Sequence, residues 1–271
     1  MTETNDRHDI RMVAIDLDGT LLAGDKTISD RNSDAIEACR EKGVQVVIAS
    51  ARPPRSVRPF YESLDLNTLQ INYNGALIYD MPNNQPFYHK PLDADVVERI
   101  IHSARSAYPD CHVSLEVLDE WLTDAIDESM PTETSKLFGP NRIAPISDLL
   151  SDPVSIFMLM APTDRIKTVQ DAVDDFTHEV EYTTSDEYML QIHHPDAGKV
   201  RAVEIVAEHY GVDWSNVMAI GDAPNDEGMI QQARLGVAVA NAWPQTADAA
   251  DVVVSSNDQD GVAEALERYV L

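Results

Sequence analysis

The chain has 271 residues and is poor in basic side chains. Twenty Lys and Arg stand against 47 Asp and Glu, so the formal net charge at pH 7 is −27. Proteins bind nucleic acids and anionic membranes through Lys and Arg, which neutralise the phosphates. This balance argues against both as partners, and the acidity favours solubility or adaptation to salt.

Cysteine is also scarce, and long apolar runs are absent from the sequence. Cys39 and Cys111 lie in no CxxC or other metal-ligand spacing, which predicts two reduced thiols in an intracellular protein. The longest apolar run, residues 156–161, is far too short to span a bilayer, and the polar start MTETNDRHD is unlike a signal peptide. We therefore expect a cytoplasmic protein without a membrane partner.

Short apolar strands alternate with helical patterns in the outer parts of the chain. Strands are predicted at 12–16, 44–50 and 69–74, with helices at 30–42 and 53–64 between them. This order predicts a doubly wound parallel sheet. Between the Pro- and Asn-rich segment 81–86 and Pro195 the order changes to that of an α+β unit. We predict an α/β protein with a Rossmann-like core, residues 1–83 and 194–271, and an inserted α+β domain, residues 84–193.

The first predicted strand runs directly into two carboxylates, Asp16 and Asp18, in the segment DLDGTLL. In an extended strand residues i and i+2 point to the same side, so the two charges repel each other and favour a nearby cation. Gly19 lets backbone approach a ligand closely, and Thr20 adds a hydroxyl. A strand that simply ends in an Asx-type turn is the alternative interpretation.

The other strands of the predicted core also end in polar residues. Ser50 ends the second strand, Asn74 the third, and the segment GDAPND at 221–226 follows a strand at 217–220. Parallel strands bring such ends to one edge of a sheet, where open α/β folds bind ligands. Carboxylate, hydroxyl and amide oxygens are the ligands that Mg²⁺ prefers, so we predict a magnesium site at this edge.

Lys199 begins a predicted helix directly after the inserted domain. A lysine at a helix start is, on its own, usually a solvated surface charge. Beside a cluster of carboxylates it is the best-placed residue to neutralise an anionic substrate.

These segments resemble the haloacid dehalogenase superfamily of phosphatases, in its Cof-like subfamily with a large type-II (C2) cap. The resemblance covers both ends of the chain and leaves the cap as the variable part. The segments at 16–22 and 221–230 are highly specific in combination and order. The residues that carry the resemblance are DLDGTLL at 16–22, VVIASAR at 46–52, INYNGALIYD at 71–80, GKVRAV at 198–203, GDAPNDEGMI at 221–230, GVAVANA at 236–242 and SSNDQDGVAEAL at 255–266.

The resemblance implies catalytic roles for four residues. Asp16 would be the nucleophile that forms an aspartyl-phosphate. Asp18 would be the general acid that protonates the leaving oxygen and then the base that activates water. Ser50 would hydrogen-bond the transferring phosphoryl group, and Lys199 would neutralise its charge.

The resemblance also implies a metal site and a phosphate site. Mg²⁺ would be held by Asp16, by the backbone carbonyl of Asp18 and by Asp222, and Asp226 would support the metal or Lys199. The residues expected to bind phosphate or substrate are Leu17, Gly19, Thr20, Ala51, Arg52, Asn74, Gly75 and Asn225.

Three positions depart from the family pattern without removing a reactive group. Ala51 and Val200 stand where Gly is common, and Pro224 occupies a loop position that is more often polar or small. Val200 is the departure that bears most directly on the site, because it follows Lys199.

We therefore expect a Mg²⁺-dependent phosphatase that hydrolyses phosphomonoesters of small metabolites, such as sugar phosphates or cofactor phosphates. Its partner would be a small phosphorylated metabolite, and the protein would be a monomer or weak homo-oligomer. One alternative is a phosphotransferase or phosphomutase, phosphomannomutase-like, which passes the phosphoryl group to a sugar hydroxyl. The other is a non-catalytic phosphometabolite-binding protein, for which loss of Asp16 or Asp18 would be expected.

Overall fold

The structure, a computed structural model, describes residues 9–271 apart from the side chains at positions 185 and 186. The strands within this range are β1 (Met12–Ile15), β2 (Gln45–Ile48), β3 (Gln70–Asn72), β4 (Leu77–Asp80), β5 (Gln85–His89), β6 (His112–Val117), β7 (Glu120–Thr123), β8 (Arg142–Ile143), β9 (Ile156–Met160), β10 (Glu181–Asp186), β11 (Met189–His193), β12 (Val217–Gly221), β13 (Leu235–Val239) and β14 (Val252–Val254). The helices are α1 (Asp30–Glu41), α2 (Pro54–Ser63), α3 (Ala94–Ala107), α4 (Ile146–Leu149), α5 (Ile166–Asp174), α6 (Lys199–Tyr210), α7 (Glu227–Gln232), α8 (Pro244–Ala249) and α9 (Gly261–Tyr269).

The described chain divides into two compact units. The first unit comprises the described residues up to Ala51, together with Val57–Phe87 and Gly198–Leu271. The second comprises Arg52–Ser56 and Tyr88–Ala197. The sequence-based boundaries at 84 and 193 differ from these by a few residues, because residues 85–87 begin strand β5, which adds to a sheet with β3 and β4.

The first unit is built on a sheet of five parallel strands in the order β14-β13-β12-β1-β2. Strand β1 is buried at every position, as expected for a strand with neighbours on both sides and helices over both faces. The chain moves from β1 to β2 through α1, and from β12 in the other direction to β13 and β14 through α7 and α8. Because such crossovers are right-handed, α1 lies on one face and α7 and α8 lie on the other. The predicted α/β class and doubly wound sheet are confirmed.

The strand order changes direction between β1 and β12, which are direct neighbours with Ile15 paired to Ile220. Connections that leave a sheet in opposite directions open a crevice at the carboxyl ends of the two strands. The segment that begins with Asp16 and the segment that begins with Gly221 therefore meet at this crevice.

The strand predicted at 69–74 is shorter in the structure, where β3 covers Gln70–Asn72. A tight turn at Tyr73–Gly75 reverses the chain, and β4 pairs antiparallel with β3. The three turn residues have φ angles of 51°, 53° and 99°, a region that only glycine enters without strain. A Cβ on Gly75 would lie 2.3 Å from the carbonyl oxygen of Gly198, so glycine is required for the turn to approach the start of α6.

The second unit contains a six-stranded sheet in the order β10-β11-β9-β6-β7-β8, antiparallel except between β7 and β8. Alternate residues of β6 and β9 face an apolar core that also includes residues of α3 and α5, as Leu115 and Leu159 illustrate. The prediction of an α+β unit in this part of the chain is in accord with this arrangement.

Cys39 and Cys111 are buried free thiols. Burial raises the pKa of each thiol to about 11, so neither is a reactive thiolate at neutral pH. Within residues 9–271, no helix combines the length and the apolar character needed to cross a membrane. Residues 1–8, which carry most of the segment used to predict that a signal peptide is absent, lie outside the described part of the chain.

Helices α6 and α7 pack so closely that one of them needs a glycine. A Cβ added to Gly228 would lie 2.4 Å from Cγ2 of Val200 but 3.8 Å from its Cβ. Because a valine side chain is stiff at χ1, it cannot easily turn away. We expect Gly228→Ala to lower the free energy of unfolding by about 1–3 kcal/mol, measured by urea denaturation.

The matched background for this test is Val200→Ala, which keeps only the ordinary 3.8 Å contact. In that background Gly228→Ala should be neutral or stabilising, because alanine has the higher helix propensity. Equal effects of Gly228→Ala in the two backgrounds would contradict the close packing.

Candidate active site

Lys199 lies at the centre of a buried ion-pair network in the first unit. Its Nζ donates to Oδ1 of Asp16 at 2.5 Å and to Oδ1 of Asp226 at 2.6 Å, and its side chain is 0% exposed. Burial alone lowers the pKa of Lys199, but the charges and hydrogen bonds of the two carboxylates outweigh burial and raise it above its ordinary value. Lys199 is therefore a permanent cation, and the interpretation of it as a solvated surface charge is wrong.

Three carboxylates converge beside this lysine. Ligand oxygens of Asp16, Asp222 and Asp226 all lie within 4.8 Å of one another. With Lys199 protonated, the ionised cluster carries two uncompensated negative charges, which matches a divalent cation. Oxygen-only donors of this kind suit Mg²⁺, a hard cation that is bound by one or two carboxylates and keeps several waters.

Burial and neighbouring negative charges raise the pKa values of two carboxyls in this cluster. Burial raises the pKa of Asp16 well above its usual range; Lys199 opposes this effect, while Asp226 and Asp222 add to it. Burial raises the pKa of Asp222 to about 6, against the opposing hydrogen bond from Thr20. Both carboxyls thus hold a proton more readily than an exposed aspartate does.

Asp226 organises the loop that carries Asp222. Its Oδ2 accepts hydrogen bonds from the backbone N–H of Asp222 and of Ala223, both at 3.1 Å, while its Oδ1 accepts from Lys199. A Cβ on Gly221 would lie 2.5 Å from Cβ of Asp226, so the loop can close this tightly only with glycine there. Asp226 therefore shapes the loop and orients the lysine at the same time.

The loop after β1 presses against Asp222. Gly19 has a φ of 83°, and a Cβ there would lie 2.6 Å from Oδ2 of Asp222. The hydroxyl of Thr20 donates to Oδ1 of Asp222 at 2.8 Å. The carbonyl of Leu17 accepts from the backbone N–H of Leu22 at 2.8 Å, which closes the turn. Thr20, predicted to bind phosphate, is placed by the structure on the predicted metal ligand.

The second and third strand ends are joined to the same edge. Ser50 is buried; its N–H donates to the carbonyl of Ile71 at 2.9 Å, and its carbonyl accepts from the N–H of Asn74 at 3.2 Å. The side-chain amide of Asn225 donates to Oδ1 of Asn74 at 2.9 Å. Residues from separate strand ends thus form one hydrogen-bonded group, and their predicted phosphate contacts stay predictions.

Some predicted residues have other surroundings. The carboxylate of Asp18 accepts from Nζ of Lys26 at 3.0 Å and is not part of the three-carboxylate group. Its predicted metal contact is through its backbone carbonyl and stays a prediction. Gly75 lies against Gly198, and Ala51 follows Ser50 at the end of the first unit's first segment. Arg52 belongs to the second unit.

Other contacts at this edge were not found from the sequence. Asn241 donates to the carbonyl of Gly19 at 2.7 Å, and Lys26 pairs with Asp18. Asn241 follows β13 just as Ser50 follows β2, so the rule of polar strand ends, applied to every strand, would have found it. The hydrophobic pattern of the sequence also does not predict helix α8. Its first residue, Pro244, is nevertheless a common residue at a helix start.

A doubly wound sheet with buried carboxylates and a buried lysine at its switch point defines an α/β protein whose acidic cluster could hold a metal ion. The sequence matches the family described as haloacid dehalogenase-like hydrolase over residues 13–266. The protein belongs to that family and is a hydrolase of it, which confirms the resemblance.

Relatives and solved structures agree with this assignment. Two similar proteins of Bacillus subtilis (strain 168) are both named 5-amino-6-(5-phospho-D-ribitylamino)uracil phosphatase. One, YcsE, is 32% identical over 263 residues, which is 97% of each chain. The other, YitU, is 28% identical over 263 residues, covering 95% of this chain and 97% of its own. A haloacid dehalogenase-like hydrolase of Bacteroides thetaiotaomicron has a TM-score of 0.85 at 26% identity, over 96% of this chain and 99% of its own.

Metal binding should depend on pH, because a cation and protons compete for the same carboxylates. The pKa of Asp222 is raised to about 6 and that of Asp16 is raised as well, so a cation held by these carboxylates would displace protons in mildly acidic solution. We expect Mg²⁺ affinity to fall below about pH 6, by about tenfold per pH unit for each proton displaced. Calorimetry in two buffers of different ionisation enthalpy measures the released protons.

The control for this measurement is Asp222→Asn, which has no proton to lose at that position and should show a shallower pH dependence together with weaker binding. An affinity that is constant from about pH 5 to about pH 8 would show that the buried carboxylates do not bind the metal.

Proposed function

We propose that the protein is a Mg²⁺-dependent phosphatase that hydrolyses phosphomonoesters of small metabolites through an aspartyl-phosphate on Asp16. The observation that carries this proposal is the buried group of Asp16, Asp222, Asp226 and Lys199 at the carboxyl edge of a parallel sheet. Membership of a hydrolase family with relatives named phosphatases supports it.

The chain's own residues divide the reaction into two displacements. A carboxylate oxygen of Asp16 attacks the phosphorus in line with the departing oxygen, which takes a proton from Asp18. Asp18 then removes a proton from the water that attacks the aspartyl-phosphate, which releases inorganic phosphate and restores Asp16. Lys199 and Ser50 hold the charged oxygens of the phosphoryl group during both steps.

The donor set fits the implied metal. Asp16, Asp222 and the carbonyl of Asp18 would hold Mg²⁺, and Asp226 would fix the loop around it. When bound, Mg²⁺ offsets the repulsion between these carboxylates and a phosphate dianion. Lys199 contributes to the same offset without a metal, since it is already paired with Asp16.

Asp18 can leave its present partner for a leaving group. Its ion pair with Lys26 joins side chains that are 36% and 44% exposed, and pairs this exposed contribute about 1 kcal/mol or less. Breaking this ion pair therefore costs little. A weak ion pair suits the proposed role of Asp18, which donates a proton to the departing oxygen and later accepts one from the attacking water.

The named relatives suggest where the substrate search begins. Their substrate has a phosphate on a ribityl chain attached to a uracil ring, which is a phosphomonoester of a small metabolite. We include this compound, other sugar phosphates and cofactor phosphates in the proposed substrate class. We assign the second unit the role of the substrate-specificity domain.

A panel of phosphomonoesters, assayed for released inorganic phosphate, tests the function. We expect hydrolysis with Mg²⁺ and its loss with a chelator. Activity that persists in the chelator would overturn the metal dependence. Transfer of phosphate to an added sugar without release to water would replace the phosphatase by a phosphotransferase.

Two aspartate variants separate the proposed roles. Asp16→Asn should lower kcat by several orders of magnitude and abolish any phospho-enzyme, because the nucleophile is lost. Asp18→Asn should still form the phospho-enzyme slowly from p-nitrophenyl phosphate, whose leaving group needs no proton. Acid quenching and intact-protein mass spectrometry measure the added phosphoryl group.

The matched control is Asp34→Asn, the same chemical change at an exposed position of α1, which should leave kcat unchanged. If Asp16→Asn accumulated the same phospho-enzyme as the wild type, the nucleophile would be another residue.

A further inference from the structure

The turn between β13 and α8 contacts both loops of the candidate site. The side-chain amide of Asn241 donates to the carbonyl of Gly19 at 2.7 Å, in the loop after β1. Two residues further on, the backbone N–H of Trp243 donates to the carbonyl of Asp222 at 2.8 Å, in the loop after β12. One short turn therefore links the loop of the nucleophile to the loop of the metal ligand.

The segment after β14 holds this turn in place. The N–H of Asn257 donates to Oδ1 of Asn241 at 2.9 Å, and its side-chain amide donates to the carbonyl of Leu22 at 2.9 Å. Asp258 accepts from the N–H of Gly24 at 2.8 Å. We call Asn241, Asn257 and Asp258 the clasp, because their side chains hydrogen-bond the loop after β1 at three backbone groups, those of Gly19, Leu22 and Gly24.

The loop needs such contacts because of Gly19. Glycine is required there by the close approach to Asp222 and by the φ of 83°. Glycine also has the widest backbone freedom of any residue, so its own conformation does not fix the peptide groups on either side. Those peptide groups carry the carbonyl of Asp18 and the N–H of Thr20. A hydrogen bond to the Gly19 carbonyl restricts them from outside.

We propose that Asn241 is a positioning residue for phosphoryl transfer, which acts by fixing the Gly19 peptide against Asp222. The inference rests on the proposed function, since it assigns Asn241 a part in the same reaction. The side-chain hydrogen bonds described for Asn241 go to backbone groups of Gly19 and Asn257, so its effect passes through the backbone of Gly19.

Asn241 can be replaced without harm to the core. Its side chain is exposed, so truncation leaves water to satisfy the groups that it contacted. We expect Asn241→Ala to melt within a few degrees of the wild type. The matched control is Asn83→Ala, another exposed asparagine of the first unit, whose amide donates to Asp80.

The test measures kcat and KM with p-nitrophenyl phosphate and the Kd of Mg²⁺ by calorimetry. For Asn241→Ala we expect kcat to fall and the Kd of Mg²⁺ to rise, each by about tenfold or more, because partners that orient metal ligands have effects of this size. KM should change much less than kcat. Asn241→Gln, which keeps an amide donor, should recover part of both losses, and Asn83→Ala should match the wild type.

Amide hydrogen exchange of the peptide that covers residues 17–24 gives a readout independent of activity. We expect this peptide to exchange several-fold faster in Asn241→Ala than in the wild type or in Asn83→Ala. Asn257→Ala, which removes the bond to Leu22, should accelerate the same peptide.

Each outcome decides the proposal. If Asn241→Ala leaves kcat, the Kd of Mg²⁺ and the exchange rate within about twofold of the wild type, the proposal is wrong. It is also wrong if activity falls only as far as the fraction of folded protein falls, since that is a structural role. If the wild type shows no Mg²⁺-dependent hydrolysis, the proposed function fails instead, and the exchange rates and Mg²⁺ affinity still decide whether the clasp positions the loop.

Discussion

The repulsion among three buried carboxylates is the constraint on which the rest of the site depends. The ligand oxygens of these carboxylates lie within 4.8 Å of one another and are shielded from water. Cations must therefore lie beside Asp16, Asp222 and Asp226 if all three are to be ionised. Lys199 supplies one positive charge from inside the fold, and burial together with the neighbouring carboxylates still raises the pKa values of Asp16 and Asp222. The remaining deficit is what makes the site receptive to a divalent ion.

The scaffold serves this constraint by bringing loops unusually close. Gly19 lets the first loop touch Asp222, Gly221 lets the second loop fold over Asp226, and Gly75 lets a strained turn meet the start of α6. The first two approaches involve the side chains of Asp222 and Asp226. The third places Lys199, because Lys199 is the first residue of α6. Gly228, which faces Val200, accommodates the residue that departs from the family pattern. These glycine positions therefore allow the charged side chains of the site to lie close together.

Local patterns predicted the elements that carry the site, and they predicted them well where one strand or helix is enough. The apolar run into Asp16 and the helix from Lys199 to its left-handed end at Gly211 are visible without any tertiary information. The reversal after β3 has one local signal, since Asn74-Gly75 is a common turn pair, but the positive φ of Tyr73 before it has none. The pairing of Asp18 with Lys26 was also unpredictable, since both belong to an irregular loop whose side-chain directions follow no period.

The sequence by itself determined which chemical groups stand at the strand ends, and therefore the reaction class and the family. This follows because residue type and strand periodicity are local properties of the chain. Only the tertiary structure decided which of those groups contact one another. It buried Lys199 between two carboxylates, directed the Thr20 hydroxyl to Asp222, and set Asn241 against Gly19. Those contacts join residues far apart in the chain, so their distances depend on how the strands and loops pack together.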